Sequence, residues 1–293
     1  MHIPFFRNNK NSLIKNLPKQ VPRSMVLEIT SQCNFNCPYC YCLWHEFPQL
    51  LDQTLTSNQW KKIIEELLQH KVEDFTFTGG EALLFPRVLE LLSFTRKKSP
   101  NSSITLFSNG LLVNDDTIGS LKDLKVNLAI SLQGITSYNS MTGSNYSYKR
   151  VLTLIKKCKI ANINVSISTV VTKLNKFEIS DIFIAAATKG ASFIQLGPML
   201  VQGKGKNRLD LALSKDEWLS VKEEIRNLKD YNTPYAFCDE MICNCRKHPI
   251  KLMEQFSSSK IVPCNAGIIS GVISPNGLYR KCLHYFEDDI LTN

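Results

Sequence analysis

The stretch MVLEITSQCNFNCPYCYC, residues 25–42, joins alternating apolar and polar residues to four closely spaced cysteines. The alternation over its first six residues predicts a β-strand. Cys33, Cys37 and Cys40 follow in a C-x3-C-x2-C spacing, and Cys42 comes two residues later. Because a chain of 293 residues needs no disulfides to fold, the clustered thiols indicate a metal centre kept in a reducing compartment.

The strand signal returns along the chain and alternates with helical periodicity. Strands are predicted at residues 25–30, 75–78, 104–108, 126–132, 165–171 and 193–196. Helices are predicted at residues 58–70, 86–97, 115–124, 148–161 and 177–189, the first of them opened by a capping box at Thr56 and Gln59. This alternation predicts an α/β fold with a parallel sheet, either open or rolled into a partial barrel. Functional residues in such folds gather at the carboxyl ends of the strands, where the cysteine loop begins.

The alternation changes near residue 200, which predicts three parts. They are an N-terminal extension at 1–24, a partial barrel at 25–200, and a linker helix with a small cysteine-rich module at 201–293. A capping box at Ser214 and Glu217 opens the linker helix, which is predicted at 214–230. Residues 264–282 predict a β-hairpin that turns at Pro275-Asn276-Gly277.

Composition limits the classes of protein to consider. A hydrophobic fraction of 43% and a charged fraction of 21% are typical of a soluble globular protein. No apolar run is long enough to span a bilayer, and the first residues lack the pattern of a secretory signal, so we expect a cytoplasmic protein without a membrane partner. The net charge of +9 arises from scattered Lys and Arg residues, which favours a solvated basic surface over nucleic-acid binding.

The chemistry of the cysteine loop leaves two metal centres open. Three thiolates from Cys33, Cys37 and Cys40 match an iron–sulfur cluster that keeps one iron accessible. Cys42 as a fourth ligand would instead close a tetrahedral zinc site. Ligand softness and spacing permit both, so the loop alone predicts a metal without deciding which one.

The loop resembles that of the radical S-adenosylmethionine (radical SAM) enzymes, which carry this spacing with an aromatic residue, here Tyr39, before the third cysteine. FTGGEALLFP, residues 77–86, follows the second predicted strand and is similar to the GGE motif of that family, Gly79, Gly80 and Glu81. The two glycines allow close approach of a ligand, and the carboxylate can hold an ammonium group.

Two further strand ends carry the same resemblance. LFSNG, residues 106–110, and ISLQG, residues 130–134, are similar to the segments that approach the cofactor ribose in this family. The resemblance implies that Ser108, Asn109 and Ser131 lie near the cofactor. Gln133 stands where most relatives have Asp.

The resemblance implies a partial (β/α)6 barrel that holds one [4Fe–4S] cluster on Cys33, Cys37 and Cys40. The open iron would chelate the amino and carboxylate groups of S-adenosylmethionine. Reduction would then yield a 5′-deoxyadenosyl radical that abstracts a substrate hydrogen. An external electron donor of the flavodoxin or ferredoxin type is implied as a partner.

A second cysteine set resembles the opening half of the SPASM or twitch extension of peptide-modifying relatives. Cys264 and Cys282 fit its C-x12-G-x4-C pattern, whereas the later half is not found in these 293 residues. We therefore expect at most one auxiliary [4Fe–4S] cluster, completed by two of Cys238, Cys243 and Cys245. The alternatives are a structural zinc site, an incomplete module, or a thiol among the last three cysteines that donates hydrogen to the substrate.

The resemblance implies an enzyme that matures a ribosomally synthesised peptide by a cross-link, a thioether or epimerisation. Leu283 stands where sulfatase-maturing relatives are expected to have an Asp base. A twitch-type radical SAM enzyme acting on a small molecule is the alternative within the family, and a zinc-binding interaction protein is the alternative outside it. Basic residues of the C-terminal part are expected to attract an acidic leader peptide, including Lys204, Lys206, Arg208 and Arg246.

Overall fold

The computed structural model of the chain describes residues 12–52, 54–228, 231–237, 241–242, 262–263 and 266–283. Its strands are β1 (Ser24–Thr30), β2 (Asp74–Gly79), β3 (Ser103–Ser108), β4 (Asn127–Ser131), β5 (Val165–Val171), β6 (Phe193–Pro198), β7 (Tyr235–Phe237), β8 (Met241–Ile242), β9 (Val262–Pro263), β10 (Ser270–Ile273) and β11 (Tyr279–Arg280). Its α-helices are α1 (Ser57–Gln69), α2 (Val88–Lys98), α3 (Asp115–Asp123), α4 (Tyr138–Thr142), α5 (Tyr148–Ile160), α6 (Ile179–Lys189) and α7 (Lys215–Arg226). The predicted α/β fold is confirmed, and the six strands and five helices of the barrel lie within two residues of their predicted ends.

Nine of the described strands form one sheet in the order β11-β10-β1-β2-β3-β4-β5-β6-β7. All neighbouring pairs in this sheet are parallel except β10 and β11. The carboxyl ends of β1 to β6 therefore lie along the same edge of the sheet. The cysteine loop and the loops after β2, β3 and β4 all leave the sheet at this edge, which brings the predicted site residues to one place.

The helices pack on one face of the sheet and form the main core with it. Met25, Leu27 and Ile29 of β1 point to this face and are almost completely buried together with Trp60 of α1. The predicted capping box of α1 is confirmed, since the Thr56 side chain accepts the Gln59 N–H and the Gln59 side chain accepts the Thr56 N–H. No helix in the described part of the chain is long and apolar enough to cross a membrane.

The opposite face of the sheet carries several short polar side chains. Thr76, Thr105, Asn127, Ser166 and Ser168 alternate with core residues along β2 to β5, and all five are half-buried. In the register of the sheet, Thr76 lies beside Thr105, and Thr105 lies beside Asn127. This face therefore offers hydrogen-bonding groups below the edge where the cysteine loop lies.

The predicted hairpin is confirmed as β10 and β11, with Gly277 at a φ of +83° in the turn between them. It does not stand apart from the barrel, because β10 pairs with β1 and places Val272 beside Val26. At the other end of the sheet, β7 pairs with β6. The boundary at residue 200 stays a prediction, but strands from beyond it extend the barrel sheet at both ends.

A buried ion pair ties the hairpin to the barrel. Glu28 of β1 and Arg280 of β11 are each 2% exposed, and the Arg280 guanidinium donates to the Glu28 carboxylate. Arg280 also donates to the Ser274 hydroxyl at 2.8 Å and to the main-chain oxygens of Cys282 and Leu283 at 3.3 and 3.2 Å. The side chain therefore fixes both the hairpin turn and the backbone at Cys282.

Three local features differ from the sequence prediction. Helix α4 was not predicted, because its five residues are too short to show helical periodicity. Strand β7 is a similarly short element that finds its partner only through the fold. Helix α7 ends at Arg226, four residues before the predicted end, since Asn227 takes the C-cap position.

Candidate active site

The cysteine loop leaves β1 and folds back over the carboxyl end of the sheet. Within the loop, the Phe35 N–H donates to the Cys33 sulfur at 3.4 Å and the Cys40 N–H donates to the Cys37 oxygen at 3.3 Å. The Asn109 side chain, just after β3, donates to Asn34 at 2.7 Å. The loop is therefore held both by its own turns and by the neighbouring strand end.

The three predicted thiols lie close enough to act on one another electrostatically. Burial raises the pKa of Cys37 to about 12, and the charges of Cys40 and Cys33 add to this effect. Loss of solvent in the loop likewise raises the pKa of Cys33, whose residue surface is nevertheless exposed. Metal binding at these thiols therefore requires the release of protons, which an iron centre can drive by stabilising the thiolates.

Cys42 is the most deeply buried of the four clustered thiols. It lies in an apolar cluster with Leu43, Trp44 and Leu278, against which Cys40 also packs, and it is hydrogen-bonded to Cys40. That hydrogen bond lowers the pKa of Cys40 and raises the pKa of Cys42. Within the described residues no three His, Cys, Asp or Glu side chains are arranged to hold a single metal ion.

Tyr39 lies under the loop. It is 5% exposed and packs with Met141, Met199 and Leu211. Its hydroxyl donates a hydrogen bond to the Cys37 sulfur, and burial raises the pKa of the tyrosine well above its usual value. The structure thus places Tyr39 against one of the three candidate ligand sulfurs, where a hydrogen bond can tune a bound cluster.

The glycines of the GGE motif lie against the start of the cysteine loop. Gly79 has a φ of +141°, and a Cβ there would lie 2.0 Å from the Thr30 oxygen. A Cβ on Gly80 would lie 2.3 Å from the Gln32 oxygen. The Gly80 N–H donates to the Thr30 oxygen at 2.8 Å. Both positions therefore exclude larger residues, because the end of β2 contacts the backbone that leads into the loop.

The Glu81 carboxylate joins the ends of β2 and β3. It accepts hydrogen bonds from the Ser108 hydroxyl at 2.8 Å, the Asn109 N–H at 2.7 Å and the Leu83 N–H at 3.1 Å. Burial raises its pKa, and the hydrogen bond from Asn109 is the largest opposing effect. Glu81, Ser108 and Asn109, which were predicted to contact the cofactor separately, form one connected buried group.

We expect Glu81→Gln to lower the thermal stability of the protein, because an amide cannot accept all three of these hydrogen bonds. Leaving one buried donor unpaired costs about 1–3 kcal/mol. Thermal unfolding and S-adenosylmethionine affinity are measured together, with Glu223→Gln, on the exposed face of α7, as the control. A variant that unfolds at the wild-type temperature but loses affinity would show that Glu81 acts on the ligand alone.

Ser131 and Gln133 follow β4 on the same edge. Ser131 is half-buried, in register with Ser168 of β5. The Gln133 side chain accepts the Val170 N–H at 2.7 Å and donates to the Ser168 oxygen at 3.2 Å. Gln133 therefore continues the pairing of β4 with β5, and the role of Ser131 toward a ribose stays a prediction.

The second cysteine set is only partly described. Cys238, Cys243, Cys245 and Cys264 lie outside the described residues, as does Arg246. Cys282 is half-buried just after β11. Since β11 runs antiparallel to β10, Cys282 lies near the amino end of β1, about six residues or ~20 Å along the strand from its carboxyl end.

Other contacts of the cysteine loop were missed by the sequence analysis. The Asn36 N–H donates to the Thr142 oxygen at 3.0 Å, and a Cβ on Gly143 would lie 2.4 Å from the Asn36 oxygen. Gly143 ends α4 at a φ of +60°, so a glycine C-cap was the available signal. The segment after β6 also contacts the loop, through Gly203 and Lys204.

Fold and site together define an α/β protein with a cluster of cysteine thiols at the carboxyl ends of parallel strands. The model of the family described as the Radical SAM superfamily matches residues 27–184, more than half of the chain. The chain therefore belongs to the radical SAM superfamily. The cofactors of this family are a [4Fe–4S] cluster and S-adenosylmethionine, and the thiols of Cys33, Cys37 and Cys40, which lie near one another on one loop, fit that cluster.

Individual relatives agree with this assignment. The sporulation killing factor maturation protein SkfB of Bacillus subtilis is 30% identical over 212 residues, which cover 71% of this chain and 50% of SkfB. AlbA, the antilisterial bacteriocin subtilosin biosynthesis protein of the same organism, is 26% identical over 93% of this chain and 57% of its own length. The chain thus spans about half the length of these curated relatives.

The fold is also that of a solved enzyme of this kind. SuiB of Streptococcus suis, crystallised with S-adenosylmethionine, superposes with a TM-score of 0.71 at 16% identity. The match covers 90% of this chain and 60% of SuiB. At this identity the likeness concerns the fold, and it confirms the predicted TIM-like α/β architecture.

Proposed function

We propose that the chain is a radical SAM enzyme that abstracts a hydrogen atom from a ribosomally made peptide. The observation that carries the proposal is the convergence of Cys33, Cys37 and Cys40 beside the buried Glu81 group, above a sheet face of short polar side chains. Bound together and reduced by one electron, the two cofactors supply methionine and a 5′-deoxyadenosyl radical.

The chain's own residues would divide the work of binding and orientation. Cys33, Cys37 and Cys40 would hold the cluster, and the Tyr39 hydroxyl would donate to one of its ligand sulfurs. The turn at 79–81 would shape the opening for the methionine part of S-adenosylmethionine. Glu81, Ser108 and Asn109 would keep that turn in place, and Ser131 would reach the ribose.

Two observations support a peptide as substrate. SkfB and AlbA are named for the maturation or biosynthesis of a killing factor and a bacteriocin, and SuiB was crystallised with its precursor peptide SuiA. The hydroxyl groups of Thr76 and Thr105, half-buried on the face of the sheet opposite the main core, can bond to a peptide backbone. The bond made would be a cross-link or thioether, or the reaction would invert an α-carbon.

An auxiliary cluster belongs to the same proposal. Cys282 would supply one ligand, Cys264 a second, and two of Cys238, Cys243 and Cys245 the remainder. Support comes from Arg280, which fixes the main chain at Cys282 through its carbonyl oxygen. A held backbone of this kind is what a ligand position requires.

The electron would come from a protein of the flavodoxin or ferredoxin type. Gln32, Cys33 and Asn36 of the cysteine loop are exposed at the protein surface. A donor docking there would approach the three thiols directly, without passing through the core.

We expect a peptide encoded beside this gene, deuterated at its carbon-bound positions, to transfer deuterium into 5′-deoxyadenosine. Only the abstracted hydrogen enters that product, so mass spectrometry of both molecules identifies the substrate. The Cys33→Ala, Cys37→Ala, Cys40→Ala variant is the control and should give no transfer. Transfer from a deuterated small metabolite, with none from any neighbouring peptide, would instead favour the small-molecule alternative.

A further inference from the structure

The cysteine loop is contacted by a short segment that follows β6, with the sequence Gln202-Gly203-Lys204-Gly205-Lys206. The two parts lie about 160 residues apart in the sequence. The Gln202 side chain donates to the Tyr41 oxygen at 2.8 Å. The Lys204 N–H donates to the Cys40 oxygen at 2.8 Å. The loop is thus bonded to this segment at the third candidate ligand and at the residue after it.

Glycine is required for this close approach. Gly203 has a φ of +58°, and a Cβ there would lie 2.4 Å from the Cys40 oxygen and 2.9 Å from the Cys42 oxygen. A Cβ on Gly205 would lie 2.5 Å from the Leu200 oxygen. The GKGK pattern, which lacks the spacing of a phosphate-binding loop, therefore serves a contact between two backbones.

The two lysines of the segment have different partners. Lys206 donates to Glu46 at 2.7 Å, and the same carboxylate accepts the Gly203 N–H at 2.6 Å. The Lys204 ammonium instead donates to the Asn36 side chain at 2.5 Å, next to Cys37. Through its N–H and its ammonium, Lys204 contacts the loop on both sides of Cys37.

The charge of Lys204 also reaches a second candidate ligand. The Lys204 ammonium is close enough to the Cys33 thiol to act on it electrostatically. Lys204 is half-buried, so its charge is less screened than that of a fully exposed lysine. A positive charge next to an iron–sulfur cluster stabilises the added electron and so raises the reduction potential.

We propose that Lys204 is a positioning residue of the cluster loop and that its ammonium raises the reduction potential of the cluster held by Cys33, Cys37 and Cys40. This role requires, from the proposed function, only that a cluster occupies the three thiols. It needs neither a peptide substrate nor an auxiliary site. The electron itself comes from the external one-electron donor.

Three substitutions separate position from charge. Lys204→Gln keeps a side-chain donor for Asn36 but removes the charge, Lys204→Met removes both, and Lys204→Arg keeps both. Lys62→Met, on the exposed face of α1, removes the same net charge far from the loop and is the matched control. Each protein is reconstituted with iron and sulfide, and its cluster is titrated against potential by electron paramagnetic resonance without S-adenosylmethionine.

We expect Lys204→Gln to retain iron but to have a lower reduction potential. At the midpoint potential of the wild-type cluster, its ratio of reduced to oxidised cluster should be about tenfold lower, which corresponds to a potential lower by about 59 mV for one electron. Lys204→Met should show the same shift and also bind less iron per chain. Lys204→Arg and Lys62→Met should titrate as the wild type does. Failure of Lys204→Gln to load a cluster, with Lys204→Arg loading normally, would equally support a need for the charge.

Two results would overturn the role of Lys204. One is a Lys204→Gln cluster that titrates at the wild-type potential, and the other is loss of the cluster in all three variants, Lys204→Arg included. A wild-type protein that binds no cluster would contradict the proposed function instead.

The contact between the two backbones has its own test. Gly203→Ala should lose most of its iron, because the added Cβ would clash with the Cys40 oxygen. The control is Gly119→Ala, whose added Cβ meets no atom within 4 Å, and this variant should keep its iron.

Discussion

A protein in which Cys33, Cys37 and Cys40 are all replaced by alanine is expected to form no 5′-deoxyadenosine from S-adenosylmethionine under any reductant. The three thiols lie on one loop, and the substitutions remove every thiol of the C-x3-C-x2-C motif. The loss should be complete, since the cofactors carry the chemistry and the loop holds them. Anaerobic chromatography of the reaction mixture measures it.

The control for this variant is Cys158→Ala. Cys158 is fully buried in α5, away from the site, so its loss removes a small apolar group and leaves cleavage intact. Iron analysis of the triple variant tests the second cluster at the same time. Retained iron would indicate that Cys282 and its proposed partners bind a cluster of their own, whereas an iron-free protein would rule this out.

The barrel could be predicted from the sequence because each of its elements has a local signal. Alternation in 25–30 and the capping box at Thr56 depend on residues within a few positions of one another, and both are confirmed. The cysteine spacing is local in the same way. Such features depend only on neighbouring residues, so they can be recognised without knowing the contacts made by distant parts of the chain.

The additions to the sheet could not be predicted in this way. Nothing near Ser270 indicates that β10 pairs with β1, because the partner lies nearly 250 residues earlier in the chain. The hairpin itself was predicted from the turn at Gly277, which is local. Strand pairing between distant segments is decided by the packed fold, so the sequence predicted the hairpin without its position.

At the site, too, the sequence predicted which residues take part but not which groups they contact. The GGE motif predicted that Glu81 belongs to the site, but its three protein donors became visible only when β2 and β3 were side by side. The lysines at 204 and 206 and Arg208 were expected to attract an acidic peptide. Lys206 and Arg208 form ion pairs with Glu46 and Asp210, whereas the Lys204 ammonium donates to the uncharged Asn36 side chain. Composition counts charges, but it does not show which of them already have an ionic partner, and the attraction of an acidic peptide stays a prediction.

The second large effect is expected on stability, when the buried ion pair between Glu28 and Arg280 is broken. We expect Arg280→Met to lower the free energy of unfolding by about 3–5 kcal/mol at neutral pH, because it leaves a carboxylate buried without a cation. Chemical denaturation measures the change. Lys157→Met is the matched control: its pair with Asp115 at 2.6 Å has side chains that are 50% and 77% exposed, so it should cost less than about 1 kcal/mol.

The loss in Arg280→Met should depend on pH with a definite sign. Burial raises the pKa of Glu28, and the positive charge of Arg280 is the largest influence that opposes this rise. Removing Arg280 therefore raises the pKa of Glu28 further. A raised carboxyl pKa means that the folded state binds more protons than the unfolded state, and stability then rises as pH falls. The difference from wild type should therefore shrink between pH 7 and pH 5. A difference that is constant across this range would show that Arg280 acts through packing alone.

The double variant Glu28→Gln, Arg280→Met completes the cycle. Without a buried charge it should recover part of the stability lost in Arg280→Met, and its pH dependence should disappear. Its iron content should stay below that of the wild type if Cys282 is a ligand, because Arg280 also holds the Cys282 and Leu283 oxygens, which no change at Glu28 restores. Stability that recovers while iron does not would separate the two tasks of Arg280, closing the sheet beside β1 and fixing the chain at the proposed auxiliary site. Recovery of both would assign Arg280 to the sheet alone.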